Sequence, residues 1–363
     1  MTKHQRVMFV AAAIAIGAVA AAIYSKKPAR VHPAPLVAAA DEVTTSREDL
    51  DAAMKAAEQK LAADPADGRA AAAFAQAALR RARVESNGGY THRAEQVLKA
   101  VLDREPDNYN ALKLLGAVYM SQHRFRAAIG VATRAMRVHP EDAWNYGVIG
   151  DAHLELGEYD EAFNAFDTMV QHRPDAAAYG RIAYAQELQG HLGAAIASMR
   201  MAAEATGAQD PESLAWHYAQ IGNLLLQTRD VDGAAREFAR ADHTFPGHPF
   251  AAAGTARVAA ARGQFDRALA IYEDLMKTVP TTDTAIAIGE LLAQKGDTAG
   301  ADAMYARAEA IERDAWLTEA RLTTNLARML AERGVRVNEA VQLAEEAART
   351  RKDIFTMAAL AWA

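Results

Sequence analysis

The chain contains no cysteine in 363 residues. That excludes disulfide frameworks, thiol nucleophiles, Cys-based zinc sites and a lipid-modified cysteine near the start. Equally missing are a Gly-rich phosphate loop of the Walker type, a G-x-S-x-G elbow, an H-E-x-x-H pair and an EF-hand loop. The eleven histidines are scattered. His139, His172 and His243 stand one to three residues before a proline, where a partly positive ring suits the negative end of a helix. His243 and His248 flank Pro246, a weak ligand pattern, and Glu345–Glu346 reads as solvated acid. The residues therefore imply no catalytic site, no metal and no cofactor, and the chain reads as non-enzymatic. Aromatics are only 7% of the chain and hardly any segment alternates like a strand, so an all-α fold is expected. Excess positive charge is lacking as well. Residues 1–40 hold five Lys/Arg and no Asp/Glu, which leaves 35 basic against 46 acidic residues, or −11, in the remainder. A body of that charge is a poor surface for nucleic acid.

What is present is a period. Pro65, Pro106, Pro140, Pro174, Pro246 and Pro280 are separated by 41, 34, 34, 72 and 34 residues. Proline lacks the amide hydrogen and clashes with the preceding turn, so each one marks a helix stop. The gap of 72 divides at Gly207 into two units. Between stops, the same residue types recur. Leu112, Leu115, Gly116 and Tyr119 precede Ala128, Ala132 and Ala135. Tyr146, Ile149 and Gly150 precede Ala162 and Phe166, and Tyr218, Ile221 and Gly222 precede Ala234, Phe238 and Ala241. Small residues at Gly116, Gly150, Gly222 and Gly289 are expected to let paired helices approach closely, with Ala128, Ala162, Ala234 and Ala268 opposite them.

This spacing resembles the tetratricopeptide repeat. The resemblance implies an all-α, right-handed superhelical solenoid of antiparallel helix pairs. Units fall at about 68–108, 109–142, 143–175, 176–214, 215–248, 249–281, 282–319 and 320–353. A helix within 46–67 precedes them, and an incomplete unit, 354–363, follows. Glu85–Tyr90 is an insertion, Thr206–Pro211 a lengthened loop, and Ile311–Trp316 an extension of a second helix. The eighth unit is the weakest match, because Val335 and Val337 disturb its turn. Each unit touches only its neighbours, so such an array escapes the usual limit on single-core size.

Residues 1–25 are of another kind. Lys3 and Arg6 precede an uncharged run, Val7–Ile23, and Lys26, Lys27 and Arg30 follow. This is the pattern of an export signal or a membrane anchor, joined to the repeats by a proline-bearing linker, 26–45. The run is short for an anchor and long for a signal core. An inner-membrane anchor with the repeats facing the periplasm, and a cleaved signal giving a secreted or periplasmic protein, are both expectations.

The resemblance also implies a concave wall formed by first helices. Carried over by position, that wall takes Asn110, Lys113 and Ala117, then Trp144, Asp151 and Leu154. Tyr184 and Glu187, Trp216 and Asn223, Phe250 and Arg257, Asp283 and Glu290, and Arg321 and Arg328 continue it. Trp144, Asp151, Tyr184, Trp216, Asn223, Phe250 and Arg257 are the candidate ligand-binding residues, and packing is the competing role for the large aromatics. Ala117 stands where the family's clamp for acidic chaperone tails expects Asn, so that partner class is not matched. A protein or an extended peptide is the expected partner, bound by a tethered or exported scaffold. The alternatives are an accessory subunit of an envelope assembly or secretion complex, and a regulatory repeat region of a longer or partner enzyme. The apolar final segment, Phe355–Ala363, raises the expectation of self-association, or of docking onto the eighth unit with an exposed edge.

Overall fold

The computed structural model describes residues 47–85, 89–208, 210–319 and 324–363. The signal or anchor, the linker, residues 86–88 of the insertion and Arg321 lie outside the described residues. Those described form 18 helices and no strand. No described helix is long and apolar enough to cross a membrane.

Helix α1 (Arg47–Ala63) precedes eight antiparallel pairs. These are α2 (Gly68–Glu85) with α3 (Gly89–Arg104), α4 (Tyr109–Ser121) with α5 (Phe125–Val138), and α6 (Ala143–Glu155) with α7 (Tyr159–His172). Then come α8 (Ala176–Leu188) with α9 (Leu192–Thr206), α10 (Pro211–Gln227) with α11 (Val231–Thr244), and α12 (Pro249–Ala261) with α13 (Phe265–Thr278). The last are α14 (Thr282–Gln294) with α15 (Thr298–Glu319), and α16 (Thr324–Glu332) with α17 (Val337–Thr350). Helix α18 (Ile354–Trp362) is the incomplete unit. Of the sixteen paired helices α15 is the longest, at 22 residues.

Several first helices start at a short polar side chain, one or two residues after a stop proline or, at Asp210, just before Pro211, the first residue of α10. Asn108, Asp142, Asp175, Asp210 and Thr281 each accept a hydrogen bond from a backbone N–H in the first turn. Such a cap contributes about 1 kcal/mol over alanine. Second helices start from a tight turn whose pivot is left-handed. Glycine fills it at Gly157, Gly190, Gly263 and Gly296, but His123 (φ 56°) and Arg229 (φ 65°) take it in units two and five. In unit eight both Gly334 and Arg336 have positive φ, which accommodates the valines flanking Arg336.

The close approach within pairs is seen at three of the four expected glycines. A Cβ on Gly150 would overlap Phe166, one on Gly222 would meet Phe238 at 2.7 Å, and one on Gly289 would meet Tyr305 at 2.8 Å. Gly116 differs. It faces Val148 and Trp144 of the next unit at 3.6 Å and beyond. The reason is Ala132, which occupies in α5 the place that Phe166 and Phe238 occupy in their helices, so no ring presses on Gly116. Phe238 is fully buried and is gripped from both sides, because Gly254 of the next unit lies even nearer to its ring than Gly222 does. Ala128, Ala162, Ala234 and Ala268 are fully buried, as expected.

Successive first helices touch: α2 with α4, α4 with α6, α6 with α8, α10 with α12, and α14 with α16. Successive second helices make no comparably close contact among the described residues. The array therefore bends toward its first helices, and their free faces form the inner wall. At the far end, α18 packs on α16 and α17 and leaves Ile354, Phe355, Met357 and Trp362 exposed.

Candidate protein-binding wall

The wall is organised by polar bridges between consecutive units. Asp142 caps α6 and also accepts from Lys113 Nζ at 2.8 Å and from the Tyr109 hydroxyl at 2.5 Å. Burial works against ionisation of Asp142, but Lys113, Tyr109 and the Trp144 N–H outweigh it and hold the carboxyl down at about 2. Lys113 Nζ also lies 5.2 Å from the centre of the Trp144 ring. One unit on, Arg181 grips Asp151 in a fork, with Nε 2.9 Å from Oδ1 and Nη2 2.6 Å from Oδ2. Two units further, Arg257 Nη2 donates to Asn223 Oδ1 at 2.6 Å. Gln227 reaches Glu187 at 2.5 Å. Paired in this way, Asp151, Asn223 and Arg257 fix one unit relative to the next, and they offer a ligand only their remaining lone pairs and N–H groups.

The aromatic candidates divide into two groups. Trp144 and Trp216 are half-buried and pack on core clusters shared between units, Trp144 on the one that runs through units one to three and Trp216 on the one that runs through units four to six. Tyr184 is 36% exposed and Phe250 is 50% exposed. Phe250 leans on His248, with ring centres 5.8 Å apart, and His248 is itself buried with its Nδ1 lacking a hydrogen-bond partner. Burial lowers the pKa of His248 below the ordinary imidazole value. Burial, helped by Glu155, Glu187 and Asp353, pushes the Tyr184 hydroxyl well up.

Among the other wall positions, Asn110, Asp283, Glu290 and Arg328 are exposed, while Lys113, Ala117 and Glu187 are half-buried. Leu154 is a correction. It does not face the wall but is buried against Ala162, Phe166 and Ala185. At the end of α6 this position faces its own second helix and the next unit, and an apolar side chain is retained there. Nor does the structure make a site of His243 and His248, since His248 points inward and His243 is exposed. No cluster of three or more metal-ligating side chains occurs among the described residues.

Sequence reading missed Tyr109, Asp142 and Arg181. Their signal is an offset about one helical turn short of the 34-residue period, because Lys113 and Asp142 are 29 residues apart and Asp151 and Arg181 are 30 apart. A second ladder of the same kind runs along the turns, through Arg126–Glu158, Arg262–Asp232, Lys295–Asp266 and Arg333–Asp302. Each exposed pair is worth about 0–1 kcal/mol, so these pairs set geometry more than they hold the fold.

Family models described as tetratricopeptide repeat match residues 79–143, 119–186 and 219–282. Tetratricopeptide repeats are thus found over residues 79–186 and 219–282. An Arabidopsis thaliana protein, the CTR9 homolog, is 37% identical over 89 residues, a match spanning 24% of this chain and 8% of that protein. The solenoid of helix pairs also superposes on solved structures. A human IFIT1 dimer aligns with TM-score 0.56 and 17% identity, over 84% of this chain and 78% of that one. The APC/C hetero-tetramer Cut9-Hcn1 aligns with TM-score 0.54 and 16% identity, over 88% of this chain and 60% of that one. At such identities the likeness is one of fold.

Proposed function

We propose that this protein is a non-catalytic scaffold whose inner wall binds a protein or an extended peptide, with Phe250 and Tyr184 as apolar anchors. The observation that carries this reading is the half-exposed Phe250 ring at the start of a first helix, leaning on the buried His248. Large aromatics on a rigid surface supply contact area at low ordering cost and are enriched among binding hot spots. The bridges support the same reading, since they fix the spacing between anchors before a ligand arrives. A partner also accompanies the solenoid in the Cut9-Hcn1 hetero-tetramer. The apolar run Val7–Ile23, flanked by Lys3, Arg6, Lys26 and Lys27, supports a tether or an export signal that would carry the array to the periplasmic side of an inner membrane.

A photo-crosslinking residue placed at Phe250 of the full chain should capture a protein that one placed at exposed Glu273, on the second-helix side, does not. Tyr184→Ala should then weaken that partner's binding by up to ~2 kcal/mol. Equal capture at both positions would remove the assignment of the inner wall. For the tether, carbonate-resistant membrane association of the full chain is expected, and recovery in the cytosol would refute it.

A further inference from the structure

Residues 351–354, which join α17 to α18, reach back across the array to its third unit. Arg351 Nη2 lies 2.6 Å from Glu155 Oε2 at the end of α6, and its guanidinium stands 5.9 Å from the centre of the Phe125 ring. The Lys352 carbonyl abuts Gly157 so closely that a Cβ on Gly157 would overlap it. The N–H of Ile354 donates to the Tyr159 hydroxyl at 2.6 Å, a contact between residues 195 positions apart. Asp353 is buried between these contacts. It accepts from the N–H groups of Phe355 and Thr356, from the Thr356 hydroxyl at 2.6 Å, and from Arg351 Nε at 3.2 Å. One side chain thus caps α18 while its neighbours on both sides engage unit three.

Nearest-neighbour stacking does not require this contact, because each repeat is satisfied by the units beside it. Joining segments so distant along the chain carries a closure cost that dedicated groups must offset. Those groups are present: an ion pair, a backbone hydrogen bond to a phenol and a glycine-lined backbone approach. The contact also adjoins α8, since Tyr159 packs against the cluster that contains Ala185, the residue after Tyr184, and Glu155, Glu187, Asp353 and Tyr159 all bear electrostatically on the Tyr184 hydroxyl.

We propose that Arg351–Ile354 is a strap that closes units three to eight into a loop, with Glu155, Gly157 and Tyr159 as its receptor, and that releasing the strap opens the inner wall at Tyr184. The second half of this proposal rests on the ligand-binding reading of that wall; the first half does not. A ligand lying along the wall from Phe250 toward Tyr184 meets the strap at its end, so strap and ligand compete for the same stretch of surface.

The absence of native cysteine makes the test direct. Gln171→Cys and Glu345→Cys, both exposed and outside the contact, carry spin labels in the full chain, and pulsed dipolar spectroscopy reads their separation. The parent should give one narrow distance distribution, unchanged when the sample is diluted with unlabelled chain. Arg351→Ala combined with Tyr159→Phe should broaden and lengthen it. Gly157→Ala should do the same, whereas Gly190→Ala should not. Gly190 has the same left-handed backbone (φ 76° against 74°) but nothing within 4 Å of a new Cβ, so it controls for backbone strain. A broad parent distribution, or identical behaviour of the two glycine variants, overturns the strap. Loss of the distance on dilution overturns it in favour of a contact between copies. Capture by the crosslinker at Phe250 should rise several-fold in the opened chain. An opened chain with unchanged capture would refute the gate and leave the loop standing.

Discussion

Phe238 offers the sharpest test of how the array is packed. Its ring is held between Gly222 of its own unit and Gly254 of the next, and it is fully buried. A methyl group added at Gly254 has two opposing effects. Alanine in place of glycine inside a helix favours the helix by about 1 kcal/mol. Against that, the new Cβ falls within the Phe238 ring envelope, and the ring has no room to retreat, because a Cβ at Gly222 would already sit 2.7–2.9 Å from it. Overpacking of this kind costs roughly 1–3 kcal/mol, and with a rigid ring and two helices to move the upper part of that range applies. Gly254→Ala should therefore lose about 1–2 kcal/mol net. Gly130→Ala, in the middle of α5 with nothing within 4 Å of the new carbon, should instead gain up to about 1 kcal/mol. Urea unfolding of the full chain measures both, and hydrogen exchange resolved by unit is the stricter assay, since an array need not unfold in one step. Protection should fall in units five and six together. Phe238→Leu combined with Gly254→Ala should cost less than the sum of the two changes. If Gly254→Ala stabilises the chain as much as Gly130→Ala, the two-sided grip on the ring is wrong.

Other outcomes follow from the same geometry. Trp144→Ala should lose about 2 kcal/mol of stability because its ring is half-buried in a core, whereas Phe250→Ala should leave the melting curve nearly unchanged; the reverse pattern would exchange their roles. Asp142 and Glu95 both have carboxyls held down at about 2, in each case against burial, by Lys113 and Tyr109 for the first and by Lys99, Arg124 and Gln122 for the second. A depressed carboxyl stabilises the fold fully above its unfolded value and loses that contribution as pH falls through the folded one, so the urea midpoint should decline from about pH 4.5 to 2. Asp142→Asn should flatten that decline by roughly 1 kcal/mol once solvent screening is allowed for, and an unaltered acid limb would refute the bridge. Arg229→Gly, at a left-handed pivot, should gain up to about 1 kcal/mol in thermal unfolding.

The fold was legible because five of the eight units end in a stop proline and small residues recur where helices meet. Gly254 escaped notice because the aromatic that needs it, Phe238, belongs to the preceding unit, and the period was read within units. On the first helices Phe250 and Tyr184 are exposed, whereas counting put Leu154 on the wall when the end of α6 turns that position toward the next unit. Charge pairing across units was hidden because opposite charges about 30 residues apart stand out only when units are aligned on one another. The contact of Arg351–Ile354 with Glu155–Tyr159 follows no period at all, and nothing in either segment's local pattern calls for the other.

That contact gives the array a fixed length. A row of repeats joined only to their neighbours accepts one more copy or one fewer at modest cost, because every joint is of the same kind. Here a buckle on unit three receives a tongue from beyond unit eight, so duplicating or deleting any unit between them carries the tongue past its hole. The number of units between the two is thus counted by the molecule itself, and gain or loss of repeats is tolerated outside that span, as in the stretch from α1 to α5.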